Sequence, residues 1–249
     1  MTDGQPDTCS APYRVRFDEA APDGLLRTSV LLRYAQDLAW FHSASRGFDR
    51  GWYAERGLTW LVRAAEIDVL QPIRVGSDLV GTTRVVGSRR VWARRRTDFR
   101  TTDGVIAADV RIDWLLLDRR GSPTRIPPEF DPIFGMHLEP VELARVDLPD
   151  ASGDARTTTI TVRPQELDPM DHVNNAVYAD WVEEQVLAGG GAADVRAIPR
   201  RLGLEYARAA AAGATVSATT WREPGGPWAC RIAEADGGDV LRARLSSGP

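Results

Sequence analysis

The sequence predicts an α+β fold in which two antiparallel sheets are each wrapped around a central helix. Three observations predict it. Apolar residues follow a helical period in two long segments. The strand-like segments around them are punctuated by turn pairs such as Gly87-Ser88 and Asp103-Gly104. The order of one strand, one helix and four strands is stated twice within 249 residues. A chain of this length holds one large domain or two small ones, and either can bury a core.

The first statement opens with a strand at 13–17 and a turn at 20–25 containing Pro22-Asp23-Gly24. A helix follows over about 29–47, where Leu31, Leu32, Ala35, Leu38, Ala39 and Phe41 keep the helical period. Ser29 is its expected N-cap and Gly47 its terminator. Four strands are expected at 59–70, 78–86, 91–100 and 105–118. The second statement has a strand at 157–162, a turn at 164–171 and a helix at about 173–188 that stops at Gly189-Gly190-Gly191. Strands are expected at 200–206, 214–222, 228–235 and 240–245. In the second helix Val173, Val177 and Trp181 form one apolar row, and Tyr178, Val182 and Val186 another. A helix apolar over so much of its surface is expected to be buried. The division expected is a disordered tail (1–12), a first domain (13–118), a linker rich in Pro, Asp and Gly (119–156) and a second domain (157–249).

Composition removes several classes of function. The formal net charge of −4 gives no global attraction to nucleic acid, and no apolar run reaches the length of a membrane span. The polar N-terminus lacks an apolar signal core, so a cytoplasmic protein is expected. Two cysteines, Cys9 and Cys230, and three scattered histidines argue against a disulfide framework or a metal centre. Every basic residue is arginine, which excludes lysine Schiff-base chemistry and the P-loop lysine. No cofactor is expected.

One stretch carries chemistry: Leu167-Asp168-Pro169-Met170-Asp171-His172-Val173-Asn174-Asn175-Ala176-Val177-Tyr178-Ala179-Asp180-Trp181-Val182-Glu183-Glu184. A turn bearing a carboxylate and an imidazole runs into the start of a helix, where free N–H groups favour developing negative charge. Together these suggest acyl-group hydrolysis. Taken singly, each residue has a structural reading. Asp168 suits a turn ahead of a helix, and Asn174 and Asn175 suit caps.

This stretch resembles the active-site segment of hot-dog-fold thioesterases, D-x-x-x-H-V-N-N-x-x-Y-x-x-W-x-x-E. Asp168, His172, Val173, Asn174, Asn175, Tyr178, Trp181 and Glu184 fill its fixed positions. The doubled layout is similar to the tandem hot-dog of acyl-acyl-carrier-protein (acyl-ACP) thioesterases. Ser88–Gly104, Ile112-Asp113-Trp114, Arg125-Ile126-Pro127 and Leu204-Glu205-Tyr206-Ala207-Arg208 resemble further segments of that family. The resemblance implies hydrolysis of a fatty acyl thioester on ACP. Acyl-CoA hydrolysis and non-hydrolytic acyl binding are the alternatives, with the chain a monomer or a homodimer.

Asp168 is then the general base for water or the nucleophile that forms a mixed anhydride. His172 orients the carbonyl, shares base duty or holds Asp168, and Asn174 belongs to the same catalytic set. The N–H groups of Val173 and Asn174 are the expected oxyanion donors. Tyr178, Trp181 and Glu184 are expected to support packing. Two family positions differ, with Met170 where D-x-N-x-H has its asparagine and Ala209 where a glutamate follows L-E-Y-x-R. In the first half Asp23 and Arg27 are read as the equivalent turn; with no histidine there, that half is expected to be non-catalytic and to contribute the acyl pocket. Arg94, Arg96 and Arg100 share a strand face with Trp92 at period two. They are read as docking groups for an acidic carrier or the phosphopantetheine phosphate, or else as a solvated face.

Overall fold

Ten strands join edge to edge into a single antiparallel sheet among the described residues (7–135, 142–151, 153–224 and 226–248) of the computed structural model. The first half comprises β1 (Thr8–Arg14), α1 (Thr28–Ser45), α2 (Arg50–Arg56), β2 (Thr59–Val69), β3 (Asp78–Arg89), β4 (Trp92–Thr101) and β5 (Ile106–Leu117). The connection carries α3 (Asp131–Phe134). The second half comprises β6 (Arg156–Thr161), α4 (Asn175–Ala188), α5 (Ala192–Arg196), β7 (Arg200–Tyr206), β8 (Thr215–Arg222), β9 (Trp228–Ala233) and β10 (Asp239–Ser247). The strand order is β1-β3-β4-β5-β2-β7-β10-β9-β8-β6. Each half keeps its expected strands. The difference is that the two sheets are continuous: β2 pairs with β7, from Ala64 opposite Glu205 to Val69 opposite Arg200.

The two long helices lie side by side across one face of this sheet. In α4 the residues Ala176, Val177, Tyr178, Ala179, Trp181, Val182, Gln185 and Val186 are buried, as the apolar rows predict. Strand β3 alternates buried and accessible residues along its length, as a sheet covered by helices on one face requires. Burial of about 1.5–3 kcal/mol per large aliphatic side chain over this shared core holds the halves together.

Two boundaries differ from expectation. Residues expected in a disordered tail form a strand instead, because β1 begins at Thr8 and pairs with β3 from Thr8–Arg84 to Arg14–Asp78; residues 1–6 lie outside the described set. Its small polar residues and Pro12 suit a strand at the rim of a sheet but carry no strong periodic signal. The connection is also not a plain linker. Phe130 and Phe134 are buried there, and Phe130 stacks on Phe48 at 4.2 Å. Two aromatic anchors in a Pro-rich stretch are enough to fix it to the first half.

Asp7 is drawn into the fold by a buried relay. Arg95 donates from Nη1 to His42 Nδ1 at 2.9 Å, so Nε2 carries the imidazole proton and donates to Asp7 at 2.9 Å. Burial, reinforced by the Arg95 charge, pushes His42 below its ordinary value of 6.5, while Arg46 holds Asp7 at about 2. The unfolded chain therefore binds the His42 proton at a higher pH than the folded chain. The stability this group contributes is full above about pH 6.5 and is lost as pH falls through the lower folded value. The melting temperature of the native protein is expected to fall more between about pH 7 and pH 5 than that of His42→Gln. Parallel slopes would show that His42 protonates in place without penalty.

Candidate active site

The turn before α4 is built by a short closed set of backbone bonds. Asp168 N–H donates to His172 O at 2.8 Å, and Asp171 N–H donates to Asp168 O at 3.0 Å. Asp171 adopts a left-handed φ of 61°, which aspartate tolerates better than most residues. Met170 N–H donates to Asp168 Oδ1 at 2.8 Å. One carboxylate oxygen is thereby pinned, and the other has no hydrogen-bond partner among the described residues. Asp168 is half-buried, and His172 is exposed. The strand-like segment at Ala210–Ala211 runs against the turn, with Val173 N–H donating to Ala210 O at 3.2 Å. Asp168, His172 and the departing position Ala209 therefore belong to one locality.

The start of α4 corrects the oxyanion assignment. Val173 N–H is taken by Ala210 O, and Asn174 N–H donates to Glu166 O at 2.9 Å. Neither is free to hold an oxyanion. Asn174 is the helix N-cap, its Oδ1 accepting from Ala176 N–H at 2.9 Å, so its side chain is structural here. Among the described residues, the amide left without an acceptor in this first turn is that of Asn175. The sequence holds a signal for this, since Asn at an N-cap spends its side chain on the N–H two residues on.

Tyr178 and Trp181, expected as supports, hold this helix start in place together with Gln36, Tyr206 and Glu166, which sequence reasoning missed. Asn175 Nδ2 donates across the molecule to Gln36 Oε1 of α1 at 3.1 Å. Tyr206 donates its hydroxyl to Asn175 O at 2.9 Å, and Ala210 N–H donates to the Tyr178 hydroxyl at 3.1 Å. Trp181 Nε1 donates to Glu166 Oε1 at 3.2 Å. Burial pushes the Tyr178 phenol up to about 12, so it stays protonated in this supporting role. Glu184 is exposed, away from these contacts.

The first half repeats this construction at an offset of 147 residues, a difference read from matching bonds: Ala21 N–H donates to Leu25 O and Arg27 N–H to Glu19 O, while Leu26 N–H is taken by Ile73 O as Val173 N–H is by Ala210 O. Gly24, with φ of 77°, stands where Asp171 stands. The register is therefore Ala21 for Asp168 and Leu25 for His172, rather than Asp23 and Arg27. Neither residue can move a proton. Asp23→Asn is accordingly expected to leave the hydrolytic rate within a few-fold of native. A loss matching that of the second-half aspartate, in a normally folded variant, would reverse the assignment of the halves.

The arginine strand is also corrected. Arg94, Arg96 and Arg100 do share the sheet face turned away from the helices, but each meets a carboxylate. Arg94 grips Asp113 with Nε and Nη2 at 2.6 and 2.7 Å, Arg96 pairs with Asp109 at 2.5 Å, and Arg100 with Asp98 at 3.0 Å. The acids come from a neighbouring strand, β5, and from Asp98 on β4 itself, which a reading of the arginines alone does not weigh. Each of these three arginines is thus paired with a carboxylate within the sheet.

Comparison with known proteins adds an independent line. Residues 6–134 match the family model described as the acyl-ACP thioesterase N-terminal domain, and residues 150–240 match its C-terminal domain. An uncharacterised protein of Mycobacterium tuberculosis is 26% identical over 161 residues. That match takes in 64% of this chain and 62% of the relative, less than two thirds of its length. The fold is similar to that of a candidate oleoyl thioesterase from Lactobacillus plantarum, with a TM-score of 0.83, 20% identity and coverage of 97% of this chain and 95% of that one. It is similar also to a 12:0-ACP thioesterase from Umbellularia californica, with a TM-score of 0.79, 22% identity and coverage of 96% of each.

Proposed function

The chain belongs to the acyl-ACP thioesterase family, and from that premise we propose that it hydrolyses fatty acyl thioesters carried by ACP, with Asp168 as general base. The observation that carries the reading is the turn: Asp168 and His172 are held together at the start of a buried helix whose first amide is unclaimed. With Oδ1 engaged by Met170 N–H, Oδ2 is the oxygen that takes a proton from water. The hydroxide so formed adds to the thioester carbonyl. The Asn175 N–H holds the oxygen that becomes negative, a contribution of about 10²–10³ in rate for such a donor. Collapse expels the pantetheine sulfur as a thiolate, which receives the proton that Asp168 took from water, relayed through His172. On this reading both halves of one chain serve the site, Gln36 of the first half reaching Asn175 of the second.

No helix among the described residues is long and apolar enough to cross a membrane. The family descriptions support a carrier-bound substrate over CoA. Release assays with matched acyl-ACP and acyl-CoA panels test this directly: kcat/KM is expected to be higher on ACP at every shared chain length. A preference for CoA across the panel would reassign the substrate while leaving the hydrolytic groups as they stand.

A further inference from the structure

The register of α1 against α4 is fixed by bonds between their side chains. Thr28 Oγ1 donates to Glu183 Oε1 at 2.5 Å, Arg33 Nη2 to Asp180 Oδ2 at 3.2 Å, and Asn175 Nδ2 to Gln36 Oε1 at 3.1 Å. Residue numbers rise along α1 as they fall along α4, so the helices are antiparallel. Arg33, Gln36 and Trp40 share the face of α1 that makes these bonds, and Trp40, one turn past Gln36, comes level with Asp171 and His172. Helix α4 starts only at Asn175, so the indole reaches beyond it, over the catalytic turn. Trp40 is 51% exposed and is the one exposed tryptophan of the eight in the chain. Among the described residues it has no hydrogen-bond, stacking or cation partner. Met170, on the turn itself, is exposed to the same degree. The first half shows this placement in its own walls. At the offset of 147 Trp40 corresponds to Leu187, and Thr28 and Glu183 correspond to Asn175 and Gln36. A cavity of about 690 Å³ there is lined by Leu187 together with Ala21, Asp23 and Leu25, which correspond to Asp168, Met170 and His172.

We propose that Trp40 receives the pantetheine arm of the thioester and sets a preference for arm-bearing substrates over esters of short thiols. The inference rests on the hydrolytic reading of the site given above and names the contact on the leaving-group side. The two ends of the substrate have opposite needs. An acyl chain gains by leaving water, whereas the sulfur end is tethered to a carrier and has to leave through the open side of the site. Trp40 and Met170 are the large apolar side chains on that open side. The arm joins a dimethyl-substituted carbon to two amides, so it calls for apolar surface and a hydrogen-bond donor together. An indole supplies both, its ring face for the methyl groups and its Nε1–H for an amide carbonyl. Leu187 offers no donor in the equivalent place, so the first half lacks this contact as it lacks the aspartate and histidine.

The test is equilibrium binding to the full-length protein of two thioethers that carry the same decyl chain and are not hydrolysed, S-decyl pantetheine and S-decyl mercaptoethanol. Trp40→Ala is expected to weaken S-decyl pantetheine by about tenfold or more and S-decyl mercaptoethanol by less than about twofold. Trp40→Phe keeps a ring face without the donor and is expected to recover part of the loss. Phe41→Ala removes the neighbouring exposed ring, about a quarter turn further round the helix, and is expected to leave both affinities native. On decanoyl pantetheine, Trp40→Ala is expected to raise KM while kcat stays within about twofold of native. Native binding of S-decyl pantetheine by folded Trp40→Ala would overturn the proposal, as would equal weakening of both thioethers or no binding of S-decyl pantetheine to the native protein. A native protein that hydrolyses no thioester would refute the hydrolytic reading instead, and the thioether affinities would still decide the role of Trp40.

Discussion

Asp168→Asn is expected to reduce single-turnover hydrolysis by about 10²–10⁴ while leaving the fold intact. The asparagine oxygen can still accept the Met170 N–H, so the turn keeps its shape. The backbone bonds from Asp168 N–H to His172 O and from Asp171 N–H to Asp168 O do not involve the side chain at all. What is lost is the basic oxygen not bonded to Met170, and with it the means of deprotonating water. Rapid-quench assays on acyl-ACP, alongside circular dichroism and thermal melting, separate chemistry from folding. A rate near native in a protein with a native melting curve would remove Asp168 from the mechanism.

The second large effect is on stability. Asp113 is 1% exposed, takes both arms of Arg94 and also accepts from Ala144 N–H at 2.7 Å. Asp113→Ala strands a largely covered guanidinium and a backbone donor together. Breaking a buried pair by removing one partner costs about 3–5 kcal/mol, because the surviving charge is left without compensation. For a chain of this size that corresponds to a fall in melting temperature of roughly 6–20 °C. The double replacement Arg94→Met with Asp113→Leu is expected to recover most of the loss, since an apolar pair carries no stranded charge. A single-variant loss below about 1 kcal/mol would show that the pair is effectively solvated. The same logic explains why reversing Arg94 to Glu would report on folding before it reported on carrier binding.

The fold is legible in the sequence because its signals are local and repeated. The helical period of Leu31, Ala35 and Leu38 marks α1, and the turn pairs mark the hairpins. The join of β2 to β7 is not legible, since it depends on which two strands remain unpaired once each half has folded. In the site, the motif locates the turn and the helix but points to two amides that are already engaged. Whether an N–H is free depends on its acceptors, here Glu166 and the distant Ala210. The register of the first half does have a sequence signal. Val15-Arg16-x-x-Glu19 and Val162-Arg163-x-x-Glu166 repeat at the offset the bonds show, and the glutamates serve alike, Glu19 receiving Tyr34 and Glu166 receiving Trp181.

The pairing of β2 with β7 has a consequence for what the molecule is able to become. Made separately, each half would present a bare row of N–H and C=O groups along that strand, a template for capturing another chain. Two identical halves meeting there would carry the same residue at both turns, and any change at one would be imposed on the other. Joined in one chain, the halves are released from that constraint. His172 stands opposite Leu25, Asn175 opposite Thr28, and Gln36 opposite Glu183. A single strand joint thus allows one molecule to hold two unlike pockets, each free to diverge without cost to its twin.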